Sequence, residues 1–189
     1  MSQNRSDQLE NIIAAAKNGE TKAQKKIYDL FAPVMMGICY RYMNDTETAK
    51  DMLQEGFIRV FTKLDSYAGT GSFEGWLRRV FVTTCLEHLR QKDALKLSSS
   101  LEDNSLAVPA TGAEAITKMS VDELLKLIAG LAEGYRTVFN LYAIEGYAHA
   151  EIAEMLGITE VTSRTQFMRA RKILQEAVIN WEKDGKRIR

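Results

Sequence analysis

The chain has 189 residues, 46% of them hydrophobic, and its 25 basic and 25 acidic side chains cancel to a formal charge of zero, which suits one ordinary soluble domain or two small ones. It holds no run of ~18 apolar residues that could span a bilayer, and its polar start from Met1 to Glu10 is unlike a secretory leader. Two cysteines are too few for a disulfide framework, so a cytoplasmic protein is expected, with Cys39 and Cys85 as reduced core thiols.

Apolar residues recur at three- and four-residue spacings and only two prolines interrupt them, so the expected fold class is all-α. A first amphipathic helix is predicted over residues 7–16. A second starts near Thr21 with Ile27, Leu30 and Phe31 on one face. Pro33 should break or kink it, after which residues 34–43 continue to the turn signal Asn44-Asp45. Thr46 is the predicted cap of the next helix, which runs to about Leu64 with Leu53, Phe57, Val60 and Phe61 turned inward. Residues 67–75, with Gly69, Gly71 and Gly75, form a loop. A helix from Phe73 or Glu74 then passes through Trp76, Leu77, Val80, Phe81 and Leu86 to about Gln91.

From Gln91 to Ala113 the chain gathers Ser98, Ser99, Ser100, Asn104, Pro109 and Gly112 without periodicity, the composition of a linker. Two small helical domains, 1–91 and 114–189, are therefore expected, joined over 92–113 by a tether that reaches roughly 75 Å extended or about 27 Å as a flexible coil. The second domain is read as four helices at 114–128, 133–144, 149–156 and 160–181.

Two surfaces stand out. Asp51, Gln54 and Glu55 lie three and four residues apart, on one polar helix face whose other side carries Leu53, Phe57 and Val60. The run Glu151-Ile152-Ala153-Glu154-Met155-Leu156-Gly157-Ile158-Thr159 is a recipe for a helix-turn-helix. In it a small Ala153 permits close crossing, Gly157 ends the helix in a left-handed conformation, Ile158 plugs the corner and Thr159 caps the second helix of the pair. That second helix is expected to bury Ser163, Phe167, Ala170 and Leu174. Its opposite face then shows Val161, Thr162, Arg164, Thr165, Met168, Arg169 and Lys172, short hydroxyls and long cations suited to phosphates and base edges. From Thr159 to Arg189 eight basic residues face four acidic ones, so the local charge is positive despite the overall balance.

The chain resembles the sigma-70 family in its compact extracytoplasmic-function group. The likeness runs through residues 51–61 and 72–80 in the first half. In the second it runs through Glu145-Gly146-Tyr147, Glu151-Ile152-Ala153, Leu156-Gly157-Ile158 and residues 162–172. The resemblance implies a sigma factor whose first domain is region 2 and whose second is region 4. Its partners would be core RNA polymerase, through the beta-prime clamp helices and the beta subunit, and promoter DNA, with an anti-sigma factor as a common further partner. It implies that Asp51, Gln54 and Glu55 grip the polymerase. Trp76, Arg78, Arg79 and Arg90 would open and read the minus-10 element, since aromatic faces and cations capture unpaired bases. Thr162, Arg164, Thr165, Arg169 and Lys172 would read the minus-35 element as duplex. Phe73 and Trp76 could equally be core, and Phe73 is the better core candidate. Ala148 stands where many relatives carry Ser or Thr, a cap weakened by ~1 kcal/mol. Cys85 stands where relatives often have Asn.

Other classes find less support. The glycines of the 69–75 loop miss the dinucleotide fingerprint and no strand precedes them. His88 and His149 lack partners at ligand spacing, so neither metal nor cofactor is expected and the chain is not read as an enzyme. A stand-alone helix-turn-helix regulator that binds DNA without polymerase is the alternative, and a purely protein-binding helical adaptor a more distant one.

Overall fold

The computed structural model describes residues 2–91 and 119–187, with side chains from 7 to 183; the linker expected over 92–113 lies outside the described residues. Among the described residues there are helices and turns and no strand. The chain divides into two compact units, Met1–Glu87 and His88–Arg189, a division that falls inside a helix rather than at its end.

The first unit is built from α1 (Ser2–Lys17), α2 (Thr21–Met43), α3 (Thr46–Thr62), a short 3-10 turn (Leu64–Ser66) and α4 (Phe73–Gln91) as far as Glu87. α2 runs through Pro33 without a break. The proline removes one N–H and leaves the Asp29 carbonyl without its helical donor, but both residues are exposed, so water can serve that oxygen. The face that α2 buries is Ala23, Ile27, Met35, Ile38, Cys39 and Tyr42. Leu30, expected inside, is 58% exposed: the stripe continues from Ile27 to Met35, and Leu30 falls to one side of it.

Asn44 adopts a left-handed conformation (φ 56°) that ends α2. The cap of α3 is Asp45, one residue before the predicted Thr46. Its carboxylate accepts the Thr48 N–H at 2.8 Å, and an anionic acceptor at a helix start has the advantage of the helix dipole.

α3 crosses α4 at Gly56. A Cβ built there would lie 2.2 Å from Phe81 Cε1, so only glycine lets the ring rest on the α3 backbone. Phe81 is fully buried and meets Phe57 edge-on at 5.2 Å. Cys39 and Cys85 are both free and buried. Although distant in sequence they meet in the core, where the hydrogen bond to Cys39 and then burial push the Cys85 thiol well above its ordinary range.

In the second unit the described helices are α5 (Val121–Ala129), α6 (Glu133–Phe139) with a π-helical turn (Asn140–Ile144), α7 (His149–Leu156) and α8 (Glu160–Arg187). Of the predicted helix over 114–128, residues 114–118 lie outside the described residues, and α5 starts at Val121. Ser120 accepts the Glu123 N–H at 3.2 Å, and the Glu123 carboxylate accepts the Ser120 N–H at 2.8 Å, a reciprocal capping box that fixes a helix start. Trp181 Nε1 also donates to Glu123 at 3.1 Å, tying the distal part of α8 to this cap. These hydrogen bonds, from the Ser120 backbone first, hold the Glu123 carboxyl below the usual carboxylate range.

Ile128, Leu131, Ala170 and Leu174 form the core of this unit, with Leu124, Leu127, Tyr135 and Phe139 packed against it. Buried Arg136 donates from Nη1 to the Leu131 carbonyl at 2.9 Å and the Ala129 carbonyl at 3.4 Å, serving acceptors at the end of α5 that the helix itself cannot.

Candidate nucleic-acid and polymerase interfaces

On α3, Asp51 and Gln54 are exposed and Glu55 is half-buried. Glu55 accepts from Arg59 Nε at 2.8 Å, and Arg59 also pairs with Glu87 of α4. The two carboxylates, Glu87 foremost, raise the Arg59 proton affinity. The expected patch is thus split: Asp51 and Gln54 project outward, while Glu55 also serves a bridge between helices. The same face continues to Ile58, which is 61% exposed. Sequence reading missed Ile58, although its position four residues after Gln54 and seven after Asp51 marks it.

On α4, Phe73 is buried and Trp76 half-exposed. Trp76 lies beside Phe73 (5.7 Å between centroids) and Tyr67 (5.6 Å). At about 100° per residue, Trp76, Arg79, Thr83 and Arg90 share one side of the helix, and Arg79, Thr83 and Arg90 are exposed. Arg78 falls roughly 200° away from Trp76 and is paired with Glu74 at 2.9 Å. The structure therefore brings three of the four expected minus-10 residues onto one face and sets Arg78 apart.

The helix-turn-helix forms from α7 and α8. Gly157 takes φ 67° at the end of α7. Thr159 Oγ1 accepts the Thr162 N–H at 3.0 Å to cap α8. α8 buries Ser163, Ala170 and Leu174 as expected, and Gln166 and Val178 besides; Phe167 is half-buried. On its other side Val161 is 72% exposed. Arg164 is exposed and leans on Glu160 (Nε to Oε1 3.2 Å), while Thr165, Met168, Arg169 and Lys172 are half-exposed. Arg169 Nη1 donates to the Tyr135 hydroxyl at 3.4 Å. Thr162 sits at the margin, its hydroxyl 2.8 Å from that of Thr159. The four residues Arg164, Thr165, Arg169 and Lys172 make a continuous strip, and Thr162 serves the cap.

His149 has a role that spacing alone could not show. Its ring lies flat on Tyr142 (4.2 Å, 10°), and Nδ1 is 2.9 Å from the hydroxyl of buried Ser163. Tyr142, delivered by the π-helical turn, also packs on Phe167 at 4.5 Å. The first residue of α7 is thereby pinned to the first turn of α8. Burial, and then the nearby Arg164 cation, lower the His149 pKa from its ordinary value, against a smaller opposing pull from Glu160.

Two stretches of the chain match known families. Residues 27–94 match Sigma-70 region 2, and residues 121–174 match Sigma-70, region 4. The ECF RNA polymerase sigma factor SigW of Bacillus subtilis is 28% identical across 89% of this chain and 95% of its own. The chain belongs to the sigma-70 family, in its extracytoplasmic-function group. This sigma-70 chain is also similar to the RNA polymerase sigma-H factor of Pseudomonas aeruginosa, at 24% identity over 91% of this chain and 94% of that protein. A co-crystal structure of the sigma factor RpoE with the anti-sigma factor NepR from Bartonella quintana shares the fold. It has a TM-score of 0.51 at 18% identity, covering 82% of this chain and 96% of that one. Among the described residues no helix is long and apolar enough to cross a membrane.

Proposed function

We propose that the chain is a sigma factor that binds core RNA polymerase and directs it to initiate transcription at particular promoters. The observation that carries this is the pairing, within one chain, of an outward polar face on α3 with two differently equipped nucleic-acid faces, on α4 and α8. Residues 1–91 act as the polymerase-binding and melting domain, 92–113 as tether, and 114–189 as the minus-35 reader. Asp51, Gln54 and the exposed part of Glu55 contact the clamp helices of the beta-prime subunit, with Ile58 as an apolar anchor among polar contacts. Trp76, Arg79 and Arg90 receive unpaired minus-10 bases and their phosphates. Arg164, Thr165, Arg169 and Lys172 lie along the major groove of the minus-35 duplex. The protein supplies recognition and the polymerase the chemistry, so it acts as a non-catalytic subunit in the cytoplasm, where an anti-sigma factor is the expected inhibitor.

The test is reconstituted transcription: purified full-length chain, core polymerase and fragmented genomic DNA, with start sites mapped. Specific initiation that depends on the chain is the expected result. Duplex binding without any initiation would instead favour a stand-alone regulator. Within the active system, the double variant Asp51→Arg, Gln54→Arg should abolish association with core while duplex binding persists; unchanged core affinity would remove the α3 assignment.

A further inference from the structure

We infer that Lys17, the last residue of α1, is a positioning residue for minus-10 capture: it holds the 67–72 loop so that Tyr67 and Trp76 present one aromatic surface. The inference rests on the reading of Trp76 as a ring that receives unpaired bases. Lys17 lies outside the stretch 27–94 that matches region 2. Its ammonium nonetheless donates to the Tyr67 carbonyl at 2.7 Å and stands 5.9 Å from the centre of the Tyr67 ring.

The contact has a rigid base and a consequence. Ile13 and Ala16, both buried, anchor the end of α1, and the ammonium sits at a helix C-terminus, where the dipole favours a cation. From its held carbonyl Tyr67 reaches in two directions. Its hydroxyl donates to the Gly71 carbonyl at 3.0 Å, closing the loop on itself, and its ring meets Phe73 at 5.1 Å and Trp76 at 5.6 Å. At the far end, Ser72 Oγ accepts the Gly75 N–H at 3.1 Å in the first turn of α4. Between these fixed points the loop turns through left-handed glycines, Gly69 at φ 76° and Gly71 at φ 84°. The start of the loop is held from two sides, by the Tyr67 N–H donating to the Leu64 carbonyl at 3.1 Å and by Lys17 reaching from α1, and the tie from Lys17 fixes the direction in which the Tyr67 ring meets Trp76.

The experiment uses the holoenzyme reconstituted from core polymerase and the full chain on a promoter found by start-site mapping, with permanganate reactivity of melted thymines as readout. Core affinity and minus-35 duplex affinity are controls. Lys17→Met keeps the length of the side chain without donor or charge, and should reduce melting roughly tenfold, the scale of one charge-assisted hydrogen bond, with both controls unmoved. Lys17→Arg should restore it. Tyr67→Phe, which opens the loop but leaves the Lys17 contact, should also reduce melting, and the double variant should lose little more than either single one. Additive losses would mean that Lys17 touches DNA on its own account and would overturn the inference, as would full melting by Lys17→Met. Trp76→Ala separates the two readings. If it melts DNA normally, the reading of Trp76 falls and the inference with it; if it fails while Lys17→Met succeeds, only the inference falls.

Discussion

The two helices assigned to nucleic acid, α4 and α8, differ in what they show and in how they are held. α4 offers one half-exposed indole with arginines and a threonine spaced along its side, a surface to stack and steady single bases. α8 has no aromatic residue on its outer strip and presents cations and a hydroxyl at close intervals, a surface for an intact groove. α4 is seated by bulk, through Phe81 on the α3 backbone and a ring cluster at its start. α8 is also seated by apolar packing, through Ala170 and Leu174 in the core of its unit, and its first turn is set in addition by small polar devices, the Thr159 cap and the bond between His149 and Ser163. Both helices thus rest on packing, and the one proposed to read duplex adds polar contacts that fix its start.

The strongest way to break this contrast is Gly56→Ala. The added methyl has nowhere to go against a fully buried ring, so overpacking should destabilise the first unit by about 1–3 kcal/mol, although alanine is the better helix former. Hydrogen exchange would check it: amides of α3 and α4 should lose protection while those of α7 and α8 keep theirs. Equal loss in both units would mean that they do not stand independently.

Next in size is a crossed pair of substitutions. Trp76→Ala should weaken binding of a single-stranded nontemplate minus-10 oligonucleotide by ~1–3 kcal/mol and leave minus-35 duplex affinity alone. Arg164→Ala should do the reverse, by ~1–3 kcal/mol if it reads a base edge, with altered sequence preference. A uniform loss over all duplexes would make Arg164 a phosphate contact. The Glu160 carboxylate beside it then matters: Arg164 must exchange that partner for DNA on binding.

What a single strand of letters reveals tracks the distance between the partners. The turn at Gly157 and the cap at Thr159 were legible because both ends of each interaction lie within four residues of each other. The helix starts at Thr21, His149 and Glu160 were readable for the same reason, whereas α1 begins at Ser2 rather than Asp7 and α8 runs to Arg187 rather than Trp181; the one-residue error at Asp45 reflects a choice between adjacent acceptors. The capping box at Ser120 was equally local, and its spacing to Glu123 was the available signal. The long-range partners were not visible. Glycine at position 56 reads as a helix weakness until Phe81 arrives from another helix, Glu55 reads as a free carboxylate until Arg59 bridges it to Glu87, and His149 reads as an isolated imidazole until Tyr142 and Ser163 flank it. Of the site, the outward faces were therefore legible and the supports beneath them were not.

The pin at His149 gives a smaller, pH-dependent effect. Because the folded pKa is lowered, the unfolded chain takes up the proton more readily, so the contribution of this residue is complete above the ordinary histidine pKa of ~6.5 and declines as the pH falls below it. The groups facing it are Tyr142, Ser163, Phe167, Arg164 and Glu160. His149→Phe keeps the stack without the proton, so the urea midpoint of the wild-type chain should fall more steeply from pH 7.5 to pH 5 than that of the variant. Parallel curves would assign the acid sensitivity to carboxylates elsewhere.

The smallest expected change is a gain. Glu151 already accepts the Ala148 N–H at 2.7 Å, and Ala148 holds extended cap geometry (φ −71°, ψ 154°), but its methyl cannot accept the Glu151 N–H in return. Ala148→Ser supplies the missing oxygen in a backbone that needs no adjustment, completing a reciprocal cap worth about 0.5–1 kcal/mol. Thermal unfolding of the second unit should shift upward by a few degrees, with the first unit and the minus-10 oligonucleotide affinity unchanged. Because α7 braces α8 through His149, one residue past this cap, a firmer start to α7 should also slow dissociation from the minus-35 duplex. If stability rises and dissociation does not change, the brace holds the fold but does not set the angle at which the recognition helix meets DNA.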